Sequence, residues 1–143
     1  MTVIHSSVLI ECPKEEAFDF ASDMRNELKW NPSAQHIEKI TDGPVGLGTK
    51  FIAKWKQSKE MEVECVAFDR PNSWSYHNGG PVEVTFTAHL IDEDGATRLE
   101  VDFDATPHGL FVLFFPIFMR MMRRQEAANM TSLKNSIEGA RIR

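Results

Sequence analysis

Apolar and polar residues alternate through most of the middle of this chain. In "VEVTFTAHL", Val82, Val84, Phe86, Ala88 and Leu90 face one way; in "ATRLEVDFDAT", Leu99, Val101 and Phe103 oppose Arg98, Glu100, Asp102 and Asp104. A period of two marks strands with one buried face, and the intervening "DEDG" supplies a hairpin turn. The same period runs from Val3 to Glu11, where Ile4, Val8 and Ile10 share a face. It continues in "TKFIAKWK", with Phe51, Ala53 and Trp55 on one side, and in "EMEVECVAF", with Met61, Val63 and Cys65 opposite Glu62 and Glu64. Gln35 to Ile40 and "SWSYHN" complete the strands, and "TDGPVGLG", "DRPN" and "GGP" are the turns between neighbours.

Two regions depart from that period. Pro13 opens a short helix in "CPKEEAFDFASD", with Glu15 and Glu16 at its positive end, and "MRNELKWNP" gives a second that ends before Pro32. Near the C-terminus, a helix from Pro116 to about Ile137 puts Phe118, Met122, Glu126, Asn129, Met130, Leu133 and Ile137 on one stripe. Phe111 and Phe115 extend that stripe only if the preceding segment is helical too. Leu110, Phe114, Ile117 and Met121 fall to one side, where they would pack on loops or against a partner. The expected order is therefore one strand, two short helices, six hairpin-linked strands and a long helix that covers the dry face of an antiparallel sheet.

At 143 residues the chain fits one domain, 1–143. Its net charge of -5 argues against a nucleic-acid partner, which needs a clustered positive field. The one basic cluster, Arg120, Arg123 and Arg124, adjoins Gly109 to Met119, eleven residues without a charge. That run is too short to span a bilayer, which takes about 20 apolar residues, and Pro116 interrupts it. Cys12 and Cys65 belong to no CxxC pair and the N-terminus carries no secretory pattern, so a reduced cytoplasmic location is expected.

"IECPKEEAFDFASDMRNELKWNP", "DGPVGLGTKF" and "TPHGLFVLFFP", with the final helix ending "LKNSIEG", resemble the START/Bet v 1-like (SRPBCC) superfamily, in its small polyketide cyclase/dehydrase-like branch. The resemblance covers essentially the whole chain. It implies an α+β helix-grip fold, in which a curved antiparallel sheet of about seven strands wraps the long C-terminal helix around a cavity. It also implies a small hydrophobic ligand such as a lipid, polyketide, isoprenoid or aromatic metabolite, and it puts "GPVGLG" beside the cavity mouth.

In such a cavity the in-facing residues Phe51, Trp55, Val63, Trp74, Tyr76, Val84, Phe86, Val101 and Phe103 of the strands, with Phe118, Met122 and Met130 of the helix, would form the ligand wall. Glu126 and Asn129 interrupt the helix stripe and would be its polar anchors, since an unpaired buried carboxylate is costly. If Glu126 instead turned outward it would meet Arg123. Five histidines show no HxxxH or HxH spacing, so no metal is expected, and nothing points to a cofactor. No GxSxG occurs, and nucleophilic chemistry lacks a signature. A cyclase or dehydratase needs less, one acid or base in a shaped cavity, for which His77, Glu126 and Tyr76 are candidates. Three functions stay open: ligand binding, such an enzyme, or a module that docks on a membrane or protein, including a second copy of itself, through Leu110 to Met122.

Overall fold

The computed structural model describes residues 2–142, with side chains described for 3–140. The order is β1 (Thr2–Ile10), α1 (Lys14–Ala21), a 3-10 turn (Met24–Asn26), α2 (Glu27–Trp30), β2 (Ala34–Lys39), β3 (Lys50–Trp55), β4 (Met61–Asp69), β5 (Ser73–Asn78), β6 (Val82–Glu93), β7 (Ala96–Pro107) and α3 (Phe111–Ile142). The strands form one antiparallel sheet in the order β1-β7-β6-β5-β4-β3-β2. This is the helix-grip α+β fold: an open seven-stranded sheet with a long C-terminal helix laid across it.

Local chemistry fixes the register. Between β6 and β7, Asp94 and Gly95 both take positive φ, 52° and 88°, as a two-residue turn matched to the strand twist requires. Paired across that turn, Val84, Phe86, Ala88 and Leu90 align with Ala105, Phe103, Val101 and Leu99, so both apolar sets share one face. A bulge between Cys65 and Ala67 turns Val66 outward and bends β4, and a second bends β2 between Ala34 and His36.

The pairing puts the starts of β2, β4 and β6 and the ends of β3, β5 and β7 along one end of the sheet. The start of α3 follows β7 and lies at that end. The glycine-bearing β2–β3 loop lies at the opposite end, with α1. Gly43 and Gly48 each have a φ of 86°, and a turn-forming role accounts for them.

α3 also begins earlier than Pro116. His108 donates its backbone N–H to the Pro81 carbonyl (2.8 Å), Gly109 takes a φ of 62°, and the N–H groups of Phe111, Val112 and Leu113 each donate three residues back. That tight turn starts the helix at Phe111 and leaves Pro116 inside it, with no N–H to offer the Val112 carbonyl.

The core divides in two. A large cluster joins Phe18, Phe51, Val63, Cys65, Trp74, Tyr76, Leu99 and Val101 to Met130, Leu133 and Ile137. Phe18 meets the rings of Phe68 and Trp74 edge-on, each 5.2 Å between centroids. A smaller cluster, Ile4, Phe103, Ala105, Met119 and Met122, lies toward the start of α3, with Phe86 packing against both.

Candidate functional site

Between these clusters α3 carries two polar residues on its inward face. Glu126 and Asn129 are each 6 % exposed, between Met122 of one cluster and Met130 of the other. Glu126 thus points inward and not to solvent beside Arg123. Its Oε2 has no hydrogen-bond partner among the described residues. Burial and the nearby Glu27 push its pKa up to about 7. A carboxyl so placed exchanges its proton near neutrality.

Glu27 was not anticipated. It lies in the first turn of α2, which packs on α3, and its Oε1 accepts from the Asn31 amide (2.7 Å) and the Trp55 indole N–H (3.1 Å). Burial raises its pKa, and the two hydrogen bonds oppose that rise. Trp30, in the same short helix, has a buried indole N–H without a partner, while its carbonyl accepts from the Ser132 hydroxyl of α3. The fold therefore assembles a polar cluster from α2, β3 and α3 that no contiguous motif announces. The sequence held one signal: Glu27 and Asn31 one helical turn apart, flanking a tryptophan in a helix too short to have a core face of its own.

The other expected wall residues divide by burial. Phe51, Val63, Trp74, Val101 and Met130 belong to the large cluster, and Phe103 and Met122 to the small one. Trp55, Val84, Phe86 and Phe118 face inward but remain half-buried. Their incomplete burial leaves apolar surface on the inner face of the sheet and on α3. Phe118 stacks on Phe115, centroids 6.2 Å apart, at the rim of this region.

Two of the acid–base candidates lie in other surroundings. Tyr76 donates its hydroxyl to the Ser22 carbonyl (2.6 Å), and burial foremost raises its pKa. His77 follows it in the strand and so points to the other face, where Nδ1 meets the Thr85 hydroxyl (2.9 Å) and Nε2 the Glu83 carboxylate (3.3 Å). It is a residue of the outer face, not of the interior. Of the three candidates only Glu126 combines inward placement with a free polar atom.

Two open grooves lie on the surface, and neither includes Glu126. One of about 360 Å³ is lined by Ile117, Arg120, Met121 and Arg124, the other of about 370 Å³ by Glu16, Phe20, Ile137 and Ala140.

A family model described as "Polyketide cyclase / dehydrase and lipid transport" matches residues 1–138. The chain belongs to this family. A search of curated proteins by sequence found no match. Among solved structures, it is similar to a START superfamily protein from Mycobacterium smegmatis, with 13 % identity, 96 % of this chain and 98 % of that chain covered, and a TM-score of 0.79. A protein from Thermus thermophilus matches with 15 % identity, coverage of 97 % and 99 %, and a TM-score of 0.77. The Zhui aromatase/cyclase from a Streptomyces species matches with 12 % identity, coverage of 99 % and 96 %, and a TM-score of 0.75. At these identities the similarity shows a shared fold and does not by itself fix a function.

Proposed function

We propose that this family member holds a small hydrophobic molecule, of the lipid, polyketide or aromatic-metabolite class, between the sheet and the first half of α3. The observation that carries the reading is the buried, unpartnered Oε2 of Glu126, set between two apolar clusters. Such an oxygen is costly unless something completes it. Protonated, it would donate to a ligand carbonyl; ionised, it would accept from a ligand hydroxyl. With a pKa of about 7, both forms are available near neutral pH. Trp55, Val84, Phe86 and Phe118 would give the apolar wall, Met122 and Met130 would adjust to ligand shape, and Asn129 would be a second anchor. Phe51, Val63, Trp74, Tyr76, Val101 and Phe103 would form the floor. A single domain working in the reducing cytoplasm completes the reading, with Cys12 and Cys65 as buried thiols.

The same observation favours a second reading. A carboxyl near its pKa at neutral pH is matched to proton transfer, so a cyclase or dehydratase acting on a folded polyketide chain would use Glu126 as its acid or base.

Methyl NMR of methionine-labelled protein tests both readings. Addition of 1-naphthol or decanoate is expected to shift the Met122 and Met130 methyls, and Glu126→Leu to weaken that response about tenfold, the worth of one hydrogen bond to a charged group. Unmoved Met122 and Met130 signals with either probe would remove the interior as a ligand site. On a confirmed substrate, Glu126→Gln that turns over as fast as the parent would remove the enzyme reading and leave binding in place.

A further inference from the structure

The outward face of α3 between residues 110 and 124 differs from the rest of the surface. Leu110, Leu113 and Ile117 are 77 %, 75 % and 72 % exposed, and Phe114 and Met121 complete the stripe. At the helical repeat these five positions span an arc of about 100°, with Arg120 at its border and Arg124 within it, beyond Met121. No acidic residue occurs between Gly109 and Gln125, and Arg120, Arg123 and Arg124 are all exposed.

The arginines themselves supply the clearest contrast. Arg25, Arg70 and Arg98 each hold a nearby carboxylate, of Asp23, Asp19 and Glu93, at 2.8, 2.7 and 2.8 Å. Arg120, Arg123 and Arg124 take part in no ion pair among the described residues. The β3–β4 turn adds to the same field: the Gln57 amide reaches Met122 Sδ (3.9 Å) and Gln125 Oε1 (3.5 Å), which brings the exposed Lys56 and Lys59 beside α3, with Glu60 the one acid of that turn. In a chain of net charge -5, an unneutralised basic patch beside an exposed apolar stripe fits an anionic partner.

We propose that this face docks on an anionic lipid bilayer, with the apolar stripe in the boundary between headgroups and acyl chains and the arginines against lipid phosphates. Residues 109–119 reach about 16 Å as helix, half of a hydrocarbon core, so the segment lies on the membrane and does not cross it. No described helix is long and apolar enough to cross. Pro116 gives the Val112 carbonyl no N–H, which favours the hydrated boundary over the dry interior. A second copy is the poorer occupant: a twofold contact would set these arginines against each other, with no carboxylate on the face to receive them. The inference stands independently of any ligand in the interior.

Vesicle flotation of the full chain tests it. The protein is expected to float with phosphatidylcholine vesicles that contain phosphatidylglycerol, and less so as salt rises. Leu113→Ser and Ile117→Ser should each cut partitioning about tenfold, and Arg120→Gln with Arg124→Gln about fivefold per charge on anionic vesicles only. These side chains are exposed, and unchanged thermal unfolding would certify the variants as folded. Absence of flotation, equal flotation on neutral vesicles, or indifference to both sets of variants would each overturn the proposal. So would a dimer in sedimentation that Ile117→Ser dissolves while no vesicle binding is seen; that result would assign the face to a second copy.

Discussion

The two halves of α3 both carry large apolar side chains, but most of those in the first half stand in solvent whereas those described in the second are buried. From Glu126 onward, Met130, Leu133 and Ile137 are buried in the main cluster, and polar side chains fasten the helix to its neighbours. Lys134 donates to the Leu9 carbonyl (2.8 Å), and Glu138 accepts the Glu11 N–H (2.8 Å). Before Met119, residues at least as apolar stand in solvent: Leu110, Leu113, Phe114 and Ile117. Hydrophobicity alone therefore does not decide burial. What decides it is which side of the helix faces the sheet: Met119 and Met122 of the first half pack on Ile4 of β1 and on Phe103 and Ala105 of β7, whereas Leu110, Leu113, Phe114 and Ile117 lie on the outward side.

Truncation of matched leucines should separate the two halves most. Leu133→Ala should cost about 2–5 kcal/mol of stability, because its cavity is walled by a sheet that cannot collapse onto it. Leu113→Ala should stay within about 0.5 kcal/mol. Chemical denaturation of both variants measures the difference, and similar losses would mean that the first half also packs on the fold in solution.

At the boundary between the halves stands Glu126, whose pKa is about 7 in the fold against an ordinary 4.5. Between those pH values the folded protein keeps a proton that the unfolded chain has released. Stability is therefore highest below about pH 4.5, as far as this group decides it, and falls as pH rises to about 7, by about 3 kcal/mol in total. Glu27, raised in the same direction, adds to the slope. Glu126→Gln should flatten most of the decline when unfolding free energy is followed from pH 5 to 8. An unchanged slope would place the responsible proton elsewhere.

A smaller effect is expected at the anchor of the second half. Lys134→Met keeps the aliphatic stem and removes the bonds to the Leu9 carbonyl and Glu138, at a cost of about 1–2 kcal/mol. Denaturant midpoints would show it, and amide exchange should quicken in the last turns of α3 while the apolar start is unaffected.

The succession of strands and the identity of the inward face were legible because period-two alternation is a local property, and the turns around Asp94 and Gly95 need only neighbouring residues to form; the pairing of β1 with β7 is a long-range contact that alternation does not encode. The inward orientation of Glu126 was legible in part, from helical spacing to Met122, Met130 and Leu133. Its surroundings were not. Glu27, Asn31 and Trp55 reach each other and the region of Glu126 only because α2 packs against α3 near the end of β3, a long-range closure with no periodic trace. His77 illustrates the same limit at a shorter scale: β5 is short and ends in two polar residues, His77 and Asn78, which fall on opposite faces, and the contact with Thr85 settles that His77 is on the outer one. The helix start at Phe111 was hidden for a different reason, since Pro116 reads as a first-turn residue until the turn from His108 to Leu113 is seen to nucleate the helix ahead of it.

Two phenylalanines one helical turn apart differ in the same way. Phe118 is half-buried, stacked on Phe115 and packed on the Ile4, Phe103 and Met122 cluster, whereas Phe114 is 61 % exposed. Phe118→Ser should cost about 1–3 kcal/mol, a partial loss of burial. Phe114→Ser should leave the unfolding midpoint nearly unchanged, because the side chain has little native contact to lose. It should nonetheless reduce flotation with phosphatidylglycerol vesicles as strongly as Leu113→Ser does. A residue whose removal is silent for folding and costly for membrane association has its apolar surface matched to the bilayer. Loss of stability from Phe114→Ser equal to that from Phe118→Ser would instead place both rings in one packed unit and move the division of α3 toward its first turn.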